Sequence, residues 1–264
     1  MKKYTVTEVY SNNNGKNIYG ELYKPDSKEK LPLIIFAHEL GNTHESGTRY
    51  AEHLVEEGYA IYMFDFCGGG FDSRSDGETT EMSVMTEVTD LEAVMENAKT
   101  WDFIDENRII VIGGSQGGIV SAIAAARHPD DLQALILLYP AFVVHDQVHL
   151  DFKTYEDIPE QYDIFNWMPV GGIYARDMWD YDVYSEIGNY TKPVLLLHGD
   201  ADYTVPISYS QRAVEVYHDA EYHVIAGGSH EFFNKAFDDA INYIDDFLSR
   251  IQTDSGTSVN VLEN

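Results

Sequence analysis

Arg108-Ile109-Ile110-Val111-Ile112 runs into Gly113-Gly114-Ser115-Gln116-Gly117 and then into an alanine-rich stretch over residues 119–128, and this passage decides the fold. The β-branched run suits a strand buried on both faces, and the small residues after it suit a helix that ends near Arg127-His128-Pro129. Strand, sharp turn and helix place Ser115 on a strained corner. Residues two before and two after it must be tiny, because a larger side chain would strike its neighbour. From residue frequencies alone, G-x-S-x-G arises by chance in about one chain of this length in ten. The setting carries the weight: open alpha/beta sheets place their chemistry at the carboxyl ends of their strands, and Ser115 stands at the end of a central one.

Moving outward, residues 4–10 and 18–23 alternate as two strands of an edge hairpin around Asn12-Asn13-Asn14-Gly15. Residues 31–38 form the first fully buried strand and lead into Glu39-Leu40-Gly41-Asn42. A helix over residues 46–57 closes at Gly58, and a strand over 59–66 enters the glycine-rich loop Cys67-Gly68-Gly69-Gly70-Phe71-Asp72-Ser73. A helix over 83–99 places Val84, Val88, Leu91, Met95 and Ala98 on one stripe. Beyond the serine, residues 133–139 form another buried strand that stops at Pro140. The pattern then changes: residues 141–190 hold eleven aromatic and ten acidic residues, with only Lys153 and Arg176 basic, and no long periodic segment. This stretch reads as an inserted cap. The sheet resumes over 192–198, a helix follows over 207–218, and the last strand spans 221–225. The final helix places Phe233, Phe237, Ala240, Ile241, Ile244 and Leu248 on its core face. The expectation is a mostly parallel, doubly wound alpha/beta sheet, with residues 1–140 and 191–252 as the core, 141–190 as the cap and 253–264 as a polar tail.

Composition removes several classes of function. The chain has 45 acidic against 17 basic residues, a net charge of −28, which repels phosphate backbones and anionic lipid surfaces. Nucleic acid and membrane are therefore not expected as partners. Its longest apolar runs fall far short of the roughly 18 to 20 residues that span a bilayer. One cysteine, Cys67, cannot form an internal disulfide, and the N-terminal residues show no apolar signal region, so the expectation is a cytoplasmic protein or one whose signal has been removed. The histidines, His145 and His149 included, lack compact metal-ligand spacing, so no metal site is expected. Oligomeric state is not legible.

A serine hydroxyl is a weak nucleophile until an imidazole takes its proton and a carboxylate orients that imidazole. When the chain order is serine, acid, histidine, the acid follows a later strand and the histidine follows the last one. Asp200 and Asp202 both follow the strand over 192–198, and only His218, His223 and His230 lie beyond them. His218 falls at a helix end and His223 inside a strand. His230 lies in the loop Gly227-Gly228-Ser229-His230 and is the expected base.

The segment His198-Gly199-Asp200-Ala201-Asp202-Tyr203-Thr204-Val205-Pro206 resembles the H-G-x-x-D-x-x-V-P segment of alpha/beta-hydrolase esterases. Phe64-Asp65-Phe66, the loop after it, the serine corner and Gly228-Ser229-His230 follow in the expected order, so the resemblance covers nearly the whole chain. With the cap position and Tyr190-Thr191-Lys192-Pro193-Val194 added, the chain is most similar to bacterial cinnamoyl and feruloyl esterases. The resemblance implies an alpha/beta-hydrolase fold and a cofactor-free serine esterase acting on a small-molecule ester of a hydroxycinnamic acid. It points to Asp202 as the acid, with Asp200 as the fallback.

The oxyanion formed on attack needs backbone N–H donors. One is that of Gln116, directly after the nucleophile. By resemblance the other is that of Leu40, in His38-Glu39-Leu40, where Glu39 replaces the family's usual glycine. A carboxylate facing the oxyanion would raise the barrier, so its side chain is expected to point away or to pair with a cation. Phe142, Phe152, Tyr155, Trp167, Trp179 and Tyr181 of the cap would serve equally as an acyl slot or as the cap's own core. By resemblance only, Asp146 is a partner for a phenolic hydroxyl. The same triad would serve a short-chain esterase, a lipase-like enzyme or a serine peptidase, and a silent binding protein on this scaffold is the reading from another class.

Overall fold

Apolar runs that alternate between two faces build the centre of the molecule. The computed structural model describes residues 3–257. Its strands are β1 (Tyr4–Asn13), β2 (Lys16–Pro25), β3 (Leu31–Ala37), β4 (Ala60–Phe64), β5 (Ile104–Gly114), β6 (Ala134–Leu138), β7 (Gln161–Ile164), β8 (Met168–Gly171), β9 (Val194–Gly199) and β10 (Ala220–Ile225). The α-helices are α1 (Thr48–Leu54), α2 (Val84–Lys99), α3 (Ser115–Arg127), α4 (Val144–Asp151), α5 (Ile173–Met178), α6 (Val183–Ile187), α7 (Ser208–Val216) and α8 (Lys235–Thr257).

Every residue of β3 is buried: Leu33, Ile35 and Ala37 pack into one core layer, Ile34 and Phe36 into the other. A strand covered on both faces belongs inside a parallel sheet with helices on each side. Eight strands form that sheet in the order β1-β2-β4-β3-β5-β6-β9-β10, parallel from β4 to β10, with β1 and β2 added antiparallel at one edge. Residues of α2 and α3 share one core layer, and those of α1 and α8 share the other. Each fully buried Ile, Leu or Phe contributes about 1.5–3 kcal/mol of transfer free energy. The fold is that of an alpha/beta-hydrolase.

Register sets where the chemistry can sit. Ala37 pairs with Gly113, Gly114 with Leu138, Leu138 with Leu197, and Gly199 with Ile225, so these strands end level and their loops meet over one edge. Between β6 and β9, residues 141–190 leave the sheet and fold as α4, the β7/β8 hairpin, α5 and α6. An isolated hairpin is marginal in water. This one is held to the core where Thr79 Oγ1 donates to Pro169 O at 2.6 Å.

Two details differ from the sequence reading. Glu231 and Asn234 take positive φ, so helical phase begins only at Lys235. Phe232 is consequently the buried residue and Phe233 is exposed. The last helix also runs on to Thr257, since nothing in residues 253–255 breaks it, and residues 258–264 of the expected polar tail lie outside the described residues.

Candidate active site

The corner at Ser115 is built as its small neighbours require. Ser115 has φ of 48°, a left-handed conformation that costs about 1–3 kcal/mol for a residue with a side chain. A Cβ on Gly113 would lie 2.3 Å from Gly117 O, and one on Gly117 would lie 2.2 Å from Ala37 O. Glycine at both positions is therefore the condition for the strand to turn into α3 against β3.

His230 Nε2 lies 2.9 Å from Ser115 Oγ, and His230 Nδ1 lies 2.8 Å from Asp202 Oδ2. An ionised carboxylate only accepts, so Nδ1–H donates to Asp202 and the neutral ring turns the Nε2 lone pair toward the serine hydroxyl. Asp202 Oδ1 accepts from the N–H groups of Thr204 and Val205 at 2.8 and 2.9 Å, and His198 Nε2 lies 3.2 Å from Oδ2. Burial by itself would raise this carboxyl. The hydrogen bonds from His198, His230 and Val205 together outweigh it and hold Asp202 well below the usual range. Asp200 does different work: its Oδ1 accepts from Gly227 N–H at 2.6 Å, pinning the loop that carries His230. Ala201 N–H adds a bond to Gly228 O at 2.9 Å, and Gly199 has no room for a Cβ against Gly228 O at 2.0 Å.

Leu40, Gln116, Ser115 and His230 line the same cleft, about 600 Å³ in volume. The N–H of Leu40 makes no hydrogen bond among the described residues, and that of Gln116 lies in the first turn of α3, where no intrahelical acceptor exists. Both are open to an incoming oxygen. Glu39 is buried beside them, and it does not pair with a cation among the described residues. Its Oε1 accepts from the Tyr139 hydroxyl at 3.0 Å and its Oε2 from the Asn42 amide at 3.3 Å.

Among the cap aromatics named from the sequence, only Trp167 lines the cleft. Phe142 packs on Tyr184, Phe152 on Tyr162, Trp179 on His149 and Tyr155, and the Tyr181 hydroxyl donates to Glu186. Tyr162, Phe165 and Tyr174 line it instead. Asp146 requires a correction. It lies outside the cleft, where its Oδ2 accepts from the Tyr209 hydroxyl at 2.7 Å. Val144, Gln147, Val148 and Asp151 occupy the cleft face of α4, the last three lying three, four and seven residues on from the first, and Asp146 falls on another face.

Three residues of the site escaped the sequence reading. Tyr139, with φ of 39°, meets the His230 ring edge-on at 5.0 Å and so walls the base. His198 is fully buried against the acid, and its place at the head of the H-G-x-x-D segment was the available signal. Glu231 lines the cleft beside His230; burial, then the nearby Glu39 carboxylate, push its carboxyl above the usual range.

The sequence profile of the prolyl oligopeptidase family matches residues 47–253. Among solved structures, the chain is similar to Est1E from Butyrivibrio proteoclasticus with ferulic acid bound: the TM-score is 0.85 and the identity 28%, over 93% of this chain and 99% of that one. Among curated proteins, it is 32% identical over 135 residues to the quorum-quenching protein AidA of Acinetobacter baumannii, covering 50% of this chain and 43% of that protein. It is 24% identical over 260 residues to the monoacylglycerol lipase of Mycolicibacterium smegmatis, covering 84% of this chain and 88% of the relative. The match thus spans less than half the length of AidA.

Proposed function

The chain belongs to the prolyl oligopeptidase family of alpha/beta-hydrolases, and from that premise we propose that it is a serine carboxylic ester hydrolase acting on hydroxycinnamate esters. The observation that carries this reading is the unbroken chain Ser115–His230–Asp202 opening into an apolar, aromatic-walled cleft.

In the proposed reaction, Ser115 Oγ attacks the ester carbonyl as His230 Nε2 takes its proton, and Asp202 stabilises the imidazolium. The N–H groups of Leu40 and Gln116 receive the oxyanion. Collapse of the tetrahedral species breaks the bond to the alcohol, which leaves with the proton from His230. A water, deprotonated by the same nitrogen, then attacks the acyl-enzyme and releases the acid. Two carboxylates flank this site, and the neutral donors on Glu39 hold its oxygens in place.

The cleft matches a flat phenylpropenoyl group. Val144, Val148, Ile164, Tyr162 and Tyr174 present apolar and aromatic surface, and Gln147 and Asp151 present polar groups for a ring hydroxyl. The Gln147 amide donates to Asp151 Oδ1 at 2.9 Å, leaving Oδ2 to accept from a phenol. The likeness to Est1E with ferulic acid bound supports the same acyl class.

Initial rates on methyl ferulate, methyl caffeate and p-nitrophenyl butyrate, with Ser115→Ala as the blank, test this reading. A higher kcat/KM on the two cinnamates is expected. Turnover of butyrate alone would keep the triad and remove the hydroxycinnamate assignment, while silence on all three would remove the esterase.

A further inference from the structure

Gln116 brings two different groups to the site. Its backbone N–H belongs to the oxyanion pair, while its side-chain amide is buried and held from both ends. Nε2 donates to Glu87 Oε2 at 2.8 Å, and Oε1 accepts from the Tyr174 hydroxyl at 2.6 Å. Glu87 comes from α2 in the core and Tyr174 from α5 in the cap, where it also lines the cleft. All three side chains are buried, at 1%, 2% and 5% exposure. Glu87 Oε1 has no partner at all among the described residues.

Apolar side chains would fill this volume with more stability than a buried amide and a buried acid. The polar chain is centred on the residue next to Ser115, whose left-handed backbone persists only if its surroundings over-determine it. We propose that the Glu87–Gln116–Tyr174 chain is a positioning device that clamps the first turn of α3, keeping the Gln116 N–H and the strained Ser115 aimed at the reacting carbonyl and tying that aim to the cap. The inference rests on the esterase reading through the role given to the Gln116 N–H.

The chemistry of Glu87 fits this task. The groups around it are the Gln116 amide, the Met82 thioether beyond that amide, Tyr174, and Asp90 on its own helix, with the His38 ring close by across Gly69. No cation pairs with it among the described residues. Burial pushes its carboxyl well above the usual range, which favours the uncharged acid and so less negative charge near a developing oxyanion. Misplacing a donor affects the transition state more than the bound ester, which separates this role from one in binding.

The test is kcat and KM on the best ester substrate for Gln116→Met, Glu87→Leu, Glu87→Gln and the Gln116→Met/Glu87→Leu double variant. Active serine is counted by fluorophosphonate titration run to completion, which removes any loss from unfolded protein. Gln116→Met and Glu87→Leu are expected to lose about tenfold or more in kcat per titrated serine, with KM within about twofold. Glu87→Gln, which can still accept from the Gln116 amide, should restore most of that loss, and the double variant should fall no further than the worse single one. Unchanged kcat per titrated serine in Gln116→Met, or losses that multiply in the double variant, would overturn the clamp. Should Glu87→Leu not fold, Gln116→Met alone decides. A wild-type protein that takes up no probe would instead overturn the esterase reading, and the clamp with it.

Discussion

Asp200 and Asp202 lie two residues apart, and their hydrogen bonds give them opposite duties. Asp202 touches the His230 ring; Asp200 touches a backbone N–H in the loop that carries it. With Asp202→Asn the imidazole is offered an amide that can stabilise the wrong tautomer, and kcat should fall by about 10⁴-fold. Asp200→Ala removes one exposed loop hydrogen bond, so a loss of about 1 kcal/mol in stability with most turnover retained is expected. Ester kinetics beside thermal melts measure both, and a loss of turnover from Asp200→Ala matching that from Asp202→Asn would reverse the two roles. Glu39 teaches a related point at the same scale. Its carboxylate lies beside the N–H groups proposed as oxyanion donors, and Tyr139, 100 residues away, and Asn42 bond its oxygens.

At the scale of elements, α4 decides which polar groups face the cleft. A helix turns each successive residue by about 100°, so a shift of two positions, as from Val144 to Asp146, carries a side chain to the opposite face. Asp146 and Asp151 are five residues apart, and only the second shares a face with Val144 and Val148. Asp151→Leu should therefore lower kcat/KM on methyl ferulate and methyl caffeate by about tenfold, the worth of one hydrogen bond to a charged group, while sparing methyl cinnamate, which has no ring hydroxyl. Equal losses on all three esters would show that Asp151 supports the helix and not the phenol. The β7/β8 hairpin adds a second wall to the cleft. Its turn carries Phe165 and Asn166 at positive φ and leads into Trp167, which packs near Phe71 and lines the cleft.

The whole molecule carries a buried acid whose ionisation couples to folding. For Glu87 the folded-state value is raised, so in the window between its ordinary value and the raised one the folded protein holds the extra proton. Stability attributable to this group falls as pH rises through that window. Glu87→Gln removes the dependence, so its Tm should exceed that of wild type by a margin that grows as pH rises above the ordinary carboxyl range. A margin that stays flat or shrinks would mean that Glu87 is already ionised in the fold. Asp90, also raised by burial, adds to the wild-type slope in the same direction and is left in place by the substitution. Among the described residues no helix is long and apolar enough to cross a membrane.

The sheet, the corner at Ser115 and the placing of His230 beside it could all be read from the chain because their signals are short in range. Buried parallel strands need continuous apolar runs, the corner needs glycine two residues to either side, and the base must come after the last strand. The acid needed a longer pattern, since Asp200 and Asp202 differ only in where a loop turns them. Other features were settled by contacts between distant parts of the chain: Glu39 with Tyr139, Glu87 with Gln116 and Tyr174, and Asp151 rather than Asp146 toward the cleft. Composition marked the cap as different from the core but left its aromatics unsorted. Whether Phe142 fills the cap's interior or Tyr162 faces the cleft depends on how each short helix and the hairpin rotate as they pack, and that rotation is fixed only when the apolar faces of the cap close on α3, α7 and one another.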